Sequence, residues 1–229
     1  WAIRAKKENK ISKLIVGPVM VVLPDEKGNI VCDPHIDKII VPSLWVKNLW
    51  LSIKPELAEK IVIWPAGTDI YPLSSYLKDK VLIYQKNAPI ELLNNIKNYL
   101  TSKNISFKVI KYGFYKHNDY LRDLDSSKAV IFLSESESQG LAICEAWMKN
   151  VPTFVWNRGF WRYRDIVWKD EKISAPYLTE ECGMFFEDFS SFENKWPEFF
   201  EKISIFKPRE YAENNFSNKK IAENFLKII

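Results

Sequence analysis

The feature that most constrains the fold is a series of short apolar runs, rich in Val, Ile and Phe, that alternate with longer amphipathic segments. A strand that is buried on both faces of a parallel sheet reads as a continuous apolar run, whereas a surface helix repeats its apolar positions about every 3.6 residues. Alternation of the two patterns is typical of parallel β/α units. The sequence therefore predicts an α/β fold with a doubly wound parallel sheet.

The predicted strands are "KLIVGPVMVVLP", "KIIVP", "KIVIWP", "KVLIYQ", "SFKVIKY", "KAVIFLS" and "PTFVW". Helices are predicted over residues 43–54, 89–102, 118–126 and 139–150, and two terminal helices over 192–203 and 208–229. Residues 64–80 concentrate Pro, Gly and Ser between two strand patterns, which indicates a boundary. We therefore predict a partial N-terminal lobe with a hinge strand over residues 1–69 and a second domain over residues 70–229.

Charge and composition exclude several classes of function. The 229 residues include 33 basic and 29 acidic ones, spread along the chain without a basic stripe, so no nucleic-acid partner is expected. The 3 cysteines have no metal-ligand spacing, which favours a reduced, cytoplasmic protein without a metal site. No run approaches the roughly 20 apolar residues of a membrane span. The segment "SLWVKNLWLSIK" is either a core helix or a membrane-surface helix, so membrane contact is peripheral at most.

The stretch "SESESQGLAICEAW" lies where a ligand is expected. Residues 134–138 form the loop between a predicted strand and a predicted helix, at the carboxyl edge of the sheet, where ligands bind in this fold class. The helix begins close to Gln139 and Gly140, and its free N–H groups and positive dipole end suit an anion such as phosphate. Neither a GxGxxG motif nor a Walker motif is present elsewhere.

Two acids flank the start of this helix. Glu137 precedes it, and Glu145, which follows Gln139 by six residues, lies roughly 9 Å further along the axis at about 1.5 Å per residue. A carboxylate beside a diphosphate would be repelled, so hydroxyl groups are the expected partners of both acids. A sugar nucleotide supplies a diphosphate, a ribose diol and sugar hydroxyls in one molecule. Because an unpaired buried acid is costly, the alternative is that Glu145 pairs with a buried Lys or Arg, or points out through a gap.

Spacing alone does not identify such a site. Glu193 and Glu201 have the same separation as Glu137 and Glu145, but they belong to a terminal amphipathic helix, where both are expected to be solvated. Glu135 is likewise expected to be a solvated loop acid. The preceding strand, the Gln-Gly pair and the apolar helix therefore distinguish the candidate site.

The same residues carry a family resemblance. The stretch "SESESQGLAICEAWMKNVPTFVW" resembles the donor-site signature of retaining glycosyltransferases of the GT-B fold, in which two Glu open and line a helix. Upstream, "VPSLWVKNLW" and "KIVIWPAGTD" resemble the segments that join the two lobes in that family. The resemblance implies a Rossmann-like donor lobe that uses no cofactor and no metal. It also implies transfer of a sugar, with retention, from a nucleotide-diphosphate sugar to a glycan or another hydroxyl acceptor.

The resemblance also assigns roles to individual residues. Glu145 would hold the ribose hydroxyls, and Glu137, the residue assigned to catalysis, would hold the hydroxyls of the transferred sugar. The diphosphate would meet the amides of Ser138, Gln139 and Gly140. These five residues form the core of the predicted site.

For further residues, the resemblance implies a role in donor binding, and a purely structural role is the alternative. Lys86, in "YQKNAP", takes the place of an Arg that neutralises the phosphates in relatives, although a second basic residue has no counterpart. Phe114 or Tyr115 would stack on the nucleotide base with Lys116 near a phosphate, or the aromatics pack on a neighbouring helix. His117 is expected to cap a helix or to lie at the surface.

The three arginines of "WNRGFWRYRD" could contact an acceptor or the phosphates, or form a solvated face. For the whole chain, the alternative to a transferase is a non-catalytic nucleotide-sugar-binding module or a truncated, partner-dependent transferase. A sugar-nucleotide epimerase is a third and weaker alternative.

Overall fold

A computed structural model describes residues 1–18 and 20–229 of the chain. Its strands are β1 (Ile15–Val16), β2 (Lys38–Val41), β3 (Ile61–Ile63), β4 (Lys80–Gln85), β5 (Phe107–Lys111), β6 (Ser127–Leu133), β7 (Thr153–Trp156), β8 (Phe160–Tyr163), β9 (Ile166–Lys169) and β10 (Gly183–Phe186). Its helices are α1 (Ala2–Lys7), α2 (Glu26–Asn29), α3 (Leu44–Ile53), α4 (Ile90–Ser102), α5 (His117–Asp125), α6 (Leu141–Met148), α7 (Phe189–Glu201), α8 (Pro208–Phe216) and α9 (Asn218–Leu226). Short 3₁₀ turns cover Ile30–Cys32, Pro55–Leu57 and Lys202–Ser204.

The chain divides into two compact units, one of Trp1–Gly67 with Lys219–Ile229 and the other of Thr68–Asn218. In the first unit, β1, β2 and β3 form a parallel sheet. The C-terminal helix belongs to this unit because Trp64 Nε1 donates to the Ile221 carbonyl at 3.0 Å and the Trp64 ring lies 5.1 Å from that of Phe225. The sequence-based boundary after residue 69 had placed this helix in the second domain.

The structure of the first unit revises two expectations that were based on the sequence. The run "KLIVGPVMVVLP" predicts one long strand, but only Ile15–Val16 pairs with β2. Gly17 and Pro18 follow directly, and Pro has no N–H with which to continue a ladder. Val19, also within the predicted strand, lies outside the described residues. Helix α3 buries two tryptophans, Trp45 and Trp50, so it is a core helix rather than a membrane-surface helix. No described helix is both long enough and apolar enough to span a membrane.

The second unit contains the main sheet, five parallel strands in the order β10-β7-β6-β4-β5. The chain passes from β4 to its neighbour β5 on one side, and then crosses back to β6 on the other side. The winding direction therefore reverses between β4 and β6, and the carboxyl edge at such a reversal is where ligands bind in folds of this class. The predicted doubly wound α/β sheet is confirmed.

Helices cover both faces of this sheet. Successive residues of a strand point to opposite faces. On β4, Val81 and Ile83 join one apolar cluster with residues of α4 and α7, whereas Tyr84 lies 5.6 Å, ring to ring, from Tyr120 of α5. The inner residues of the central strands, 81–84 of β4 and 129–133 of β6, are consequently hydrophobic and buried, which explains why these strands were predictable from the sequence.

Strand β10 forms one border of the sheet and was not predicted. Gly183 begins it with a φ of 153°, and a Cβ at this position would lie 1.8 Å from the Thr153 carbonyl oxygen of β7. Only glycine permits so close an approach of the two backbones. Backbone groups along this border have partners in the same chain: Gly183 N donates to Thr179 O, Lys195 Nζ donates to Phe185 O, and Glu187 N donates to Ser191 Oγ.

The helices depart from prediction mainly at their ends. Helix α6 covers Leu141–Met148, within the predicted 139–150. The predicted terminal helix over 208–229 is broken into α8 and α9 at Ser217, whose φ and ψ of −59° and 143° are extended. Ser217 forms a parallel bridge with Thr68 there. The hairpin of β8 and β9, and helix α1, were not predicted.

Candidate functional site

The candidate site is built on the loops that follow β4 and β6, where the winding of the sheet reverses. Lys86 N donates to the Leu133 carbonyl at 3.0 Å, and Glu135 N donates to Asn87 Oδ1 at 2.7 Å. Each loop therefore holds the other at the carboxyl edge of the sheet. A ligand at this edge would meet both loops at once.

The start of α6 lies in the second of these loops. Gly140 is the N-cap residue and has a φ of 79°, a left-handed conformation that glycine adopts without strain. Gly140 is buried, Gln139 is half-buried and Ser138 is exposed. The first N–H groups of an α-helix have no acceptor within the helix, and its dipole is positive there. This end of α6 therefore favours an anion, as the sequence analysis expects.

Glu137 and Lys86, two predicted site residues, are joined by an ion pair. The distance from Lys86 Nζ to Glu137 Oε1 is 2.9 Å, and the Ser134 hydroxyl donates to the same oxygen at 2.8 Å. The Glu137 side chain is 18% exposed. Lys86 Nζ also lies 4.9 Å from the centre of the Tyr112 ring. The cation expected to meet phosphates and the acid expected to meet sugar hydroxyls thus lie in direct contact.

Glu145 is held from two other sides. Its Oε1 lies 3.2 Å from Nε2 of His117, the first residue of α5, and the Tyr71 hydroxyl lies close enough to lower the pKa of the carboxylate. The Glu145 side chain is 14% exposed. Burial raises the pKa of Glu145, whereas the charge of His117 and the hydrogen bond from Tyr71 lower it. The alternative of a buried Lys or Arg partner is therefore replaced by an imidazole and a phenol.

An aromatic cluster lies near the two acids. The Tyr115 hydroxyl is 2.9 Å from the Tyr84 hydroxyl. Burial raises the pKa of the Tyr115 phenol, and the charges of Glu145 and Glu137 both add to this effect, so Tyr115 is close to each acid. Phe114, by contrast, is 77% exposed. Of the two aromatics assigned to the base, Tyr115 faces the acids and Phe114 is free to meet a ligand from solvent.

The expectation that Glu135 is solvated is wrong. Arg158 Nη1 and Nη2 donate to Glu135 Oε1 and Oε2 at 3.0 and 3.2 Å. The Arg158 guanidinium lies 4.2 Å from the centre of the Phe160 ring. This bidentate pair joins the loop after β7 to the loop that carries Glu137. Arg162 and Arg164 are exposed.

Sequence reasoning missed four contributors to this arrangement: Tyr71, Asn87, Arg158 and the contact of His117 with Glu145. His117 is 57% exposed, as expected for a surface residue, but its ring also faces the acid. Tyr71 lies in the Pro- and Ser-rich segment that marks the domain boundary, and no local pattern connects it with α6. Within residues 1–18 and 20–229, no cluster of three or more His, Cys, Asp or Glu side chains could hold a metal ion.

Neither a protein-family model nor a curated protein matches this sequence. Solved structures match its fold. A structure of a point mutant of S. aureus TarM in complex with fondaparinux, alpha-GlcNAc-glycerol and UDP has a TM-score of 0.61 and 16% identity, over 84% of this chain. The apo form of the lipopolysaccharide outer core galactosyltransferase WaaB has a TM-score of 0.61 and 14% identity, over 97% of this chain. The pneumococcal O-GlcNAc transferase GtfA in complex with UDP and GlcNAc has a TM-score of 0.53 and 14% identity, over 85% of this chain.

The chain has the fold of GT-B glycosyltransferases. The predicted fold class, with a Rossmann-like sheet of the kind that forms the donor lobe of a GT-B enzyme, is thereby confirmed. The chain spans 44% of the TarM structure, 45% of the GtfA structure and 69% of the WaaB structure. The likeness therefore extends over less than half the length of two of these three GT-B proteins.

Proposed function

We propose that the chain binds a nucleotide-diphosphate sugar at the carboxyl edge of its five-stranded sheet and belongs to a glycosyltransferase that retains the anomeric configuration. The observation that carries this proposal is the pair of half-buried acids, Glu137 and Glu145, at the helix end where the sheet winding reverses. Support also comes from the shared fold, since the TarM and GtfA structures contain UDP.

The diphosphate is assigned to the start of α6. The amides of Ser138, Gln139 and Gly140 supply donors, and the helix dipole adds positive potential. Lys86 adds a full positive charge at the same edge of the sheet. In the ligand-free chain Glu137 neutralises that charge at 2.9 Å, so diphosphate binding would require Lys86 to turn from the acid to a phosphate oxygen.

The hydroxyl groups of the donor are assigned to the two acids. An ionised carboxylate has about four acceptor positions on its two oxygens, enough for a vicinal diol in addition to one or two protein donors. Glu145 would accept from the ribose hydroxyls and Glu137 from the transferred sugar. Phe114, with an exposed ring, or Tyr115, with a half-buried ring, is assigned to stack on the base.

In the proposed reaction, the bond from the anomeric carbon to the diphosphate oxygen breaks, and a bond to the acceptor oxygen forms on the same face. The charge that develops on the departing diphosphate is stabilised by Lys86 and by the start of α6. The proton of the acceptor hydroxyl passes to the leaving phosphate oxygen. The acceptor is a glycan or another hydroxyl compound, and the step uses no metal and no cofactor.

A second candidate function is a module that binds the donor without turnover. The substitution of Lys86 for a bidentate Arg favours it, since a Lys neutralises a diphosphate less specifically.

Titration calorimetry with UDP-glucose, UDP-galactose, UDP-GlcNAc, GDP-mannose and ADP-glucose tests donor binding. We expect one of them to bind, and we expect Glu145→Gln to weaken binding by about 1.5 to 3 kcal/mol because a charged hydrogen-bond acceptor is lost. Glu193→Gln, on the exposed face of α7, is the matched control and should bind as the unchanged chain does. Equal affinities of the two variants would exclude the role of Glu145.

Turnover separates the two candidates. Release of nucleoside diphosphate from the bound donor, with product whose anomeric proton shows the configuration of the donor by NMR, would support a retaining transferase. Tight binding without release would favour the module, and a product of inverted configuration would contradict the proposed reaction.

A further inference from the structure

Two side chains far apart in the sequence hold the same carboxylate. The first, Tyr71, belongs to the segment that precedes β4, and its backbone is fixed to the end of α6. Arg209 Nη1 donates to the Tyr71 carbonyl at 2.8 Å and to the Met148 carbonyl at 2.9 Å. This shared cation connects the segment to the helix that carries Glu145.

A second cation fixes the same segment. Lys149 is 7% exposed, and its Nζ lies 5.5 Å from the centre of the Tyr71 ring and 3.5 Å from the Pro72 carbonyl. The same ammonium donates to Asp125 Oδ1 at 2.8 Å, which satisfies its charge. Both the ring and the backbone of Tyr71 are therefore held, on the side of the segment where its hydroxyl and the Glu145 carboxylate interact.

The second side chain, His117, reaches Glu145 from α5. That helix is itself tied to α6, because the Tyr120 hydroxyl donates to the Ala142 carbonyl at 2.6 Å. Tyr120 is 1% exposed, so this bond is shielded from water. His117 Nε2 stands 3.2 Å from Glu145 Oε1 as a consequence of where α5 begins.

We propose that Tyr71 and His117 are positioning residues that keep the Glu145 carboxylate ionised and aimed at ligand hydroxyls. The inference rests on the proposed function for the identity of that ligand. Two donors from the protein leave acceptor positions on the carboxylate for a diol. Without them, a carboxylate that is largely removed from water would protonate at a higher pH and would lose its orientation.

The pH dependence follows from the groups that act on Glu145. These are His117 from α5, and Tyr71 and Asp69 from the segment before β4. Three further titratable groups face Glu145, and its charge raises the pKa of each: Tyr115 in the loop after β5, Tyr120 on α5 and Cys144 on α6. Burial raises the pKa of Glu145, and the His117 charge and the Tyr71 hydroxyl oppose that effect. Loss of either opposing group should move the protonation of Glu145 to a higher pH.

A ligand-free experiment tests this directly. The chain is labelled with 13C at the Glu side-chain carboxyl, the Glu145 signal is assigned with Glu145→Gln, and the signal is followed against pH. Tyr71→Phe removes one hydroxyl and should raise the midpoint of the Glu145 titration. Tyr211→Phe, which removes a hydroxyl that donates to the Tyr177 carbonyl at 3.1 Å, is the matched control and should leave the midpoint unchanged. His117→Ala should also raise the midpoint, and His117→Gln, which keeps a donor, should restore part of the change.

The ligand arm uses whichever sugar nucleotide of the calorimetric panel binds. Each phosphate of such a molecule carries one ester bond and one anhydride bond, so its single negative charge does not change near neutral pH. Tyr71→Phe should weaken binding roughly tenfold at pH 7, the equivalent of one charged hydrogen bond, and should move the loss of affinity on acidification to a higher pH. The melting temperatures of Tyr71→Phe and Tyr211→Phe should agree, which excludes a general loss of structure.

The outcomes separate the two proposals. An unchanged Glu145 midpoint in both Tyr71→Phe and His117→Ala would overturn the positioning role, whatever the ligand. A shifted midpoint, together with no binding by any sugar nucleotide, would support the positioning role and overturn the proposed function.

Discussion

Two pairs of acids have the same spacing along the chain, one at helix α6 and the other on helix α7, yet their surroundings differ. Glu137 and Glu145 have side chains that are 18% and 14% exposed, and each is held by partners from other elements. Glu193 and Glu201 are exposed on the outer face of α7, whose inner face buries Phe192, Trp196 and Phe199. The spacing of two acids therefore carries no function by itself.

The difference arises from how each helix is buried. Helix α7 is amphipathic, so its acids lie where water already solvates them. Helix α6 buries five of its eight residues, so an acid there loses hydration unless the protein or a ligand replaces it. An acid that is retained at such a cost, at the edge of the sheet where ligands bind, is a better candidate for function than an exposed acid.

The largest expected effect concerns the burial of α6. Trp147 is 1% exposed, and its Nε1 donates to Thr153 Oγ1 at 3.1 Å. We expect Trp147→Ala to lower the free energy of unfolding by about 3 to 5 kcal/mol, as other truncations of large core residues do. Glu193→Ala on α7 should change it by less than about 0.5 kcal/mol. Urea denaturation measures both, and a similar result for the two variants would show that the helices do not differ in burial.

The next effect concerns the cations beside the two helices. Lys86 pairs with Glu137, and Lys195 of α7 pairs with Glu187, each at 2.9 Å. Lys86→Met should weaken sugar-nucleotide binding about 10-fold to 100-fold because the diphosphate loses its counter-charge. Lys195→Met is the control and should not affect binding. Calorimetry measures both, and equal affinities would remove Lys86 from the donor site.

The smallest expected effect concerns two acids, Glu145 and Glu187, whose pKa values are shifted in opposite directions. The pKa of Glu145 is raised, mainly by burial. Burial also acts to raise the pKa of Glu187, but hydrogen bonds from Ser191 and Lys195 outweigh it, so that pKa is lowered on balance. An acid with a raised folded-state pKa binds protons more tightly in the folded state, so its ionisation costs stability as pH rises above the unfolded value near 4.5. An acid with a lowered folded-state pKa contributes stability above that value, which is lost as pH falls.

Between about pH 4 and pH 7, Glu145→Gln should therefore gain stability relative to the unchanged chain as pH rises, and Glu187→Gln should lose it. Chemical denaturation at several pH values measures the two slopes. Slopes of the same sign would contradict the assigned difference between the two environments.

How much of the fold the sequence predicts depends on the element. Strands β4 and β6 were predicted to within one residue at each end, because central parallel strands are buried on both faces and read as a continuous apolar run between polar ends. Strand β10 was missed since it is only four residues long and begins with a glycine. The strand expected across Gly17 and Pro18 stops before them, because the apolar pattern does not show where a ladder loses its donors.

The candidate site was predictable in part. The acids and the start of α6 follow from local sequence, since a strand, a loop and a helix in succession define the edge of the sheet where they lie. Their partners do not follow, because Tyr71 and His117 reach Glu145 only through tertiary packing. The Arg158 pair with Glu135 is of the same kind: two charged loop residues look solvated in the sequence until folding brings the two loops together.

The border formed by β10 determines whether the sheet can grow. One backbone group at each of Gly183, Phe185 and Glu187 is occupied, by a preceding turn, a lysine and a serine respectively. Another polypeptide added as a sixth strand would first have to displace those three contacts and would regain little in exchange. These contacts within each molecule therefore oppose self-association by strand addition at this border. They help to limit aggregation of a chain that is rich in apolar strands.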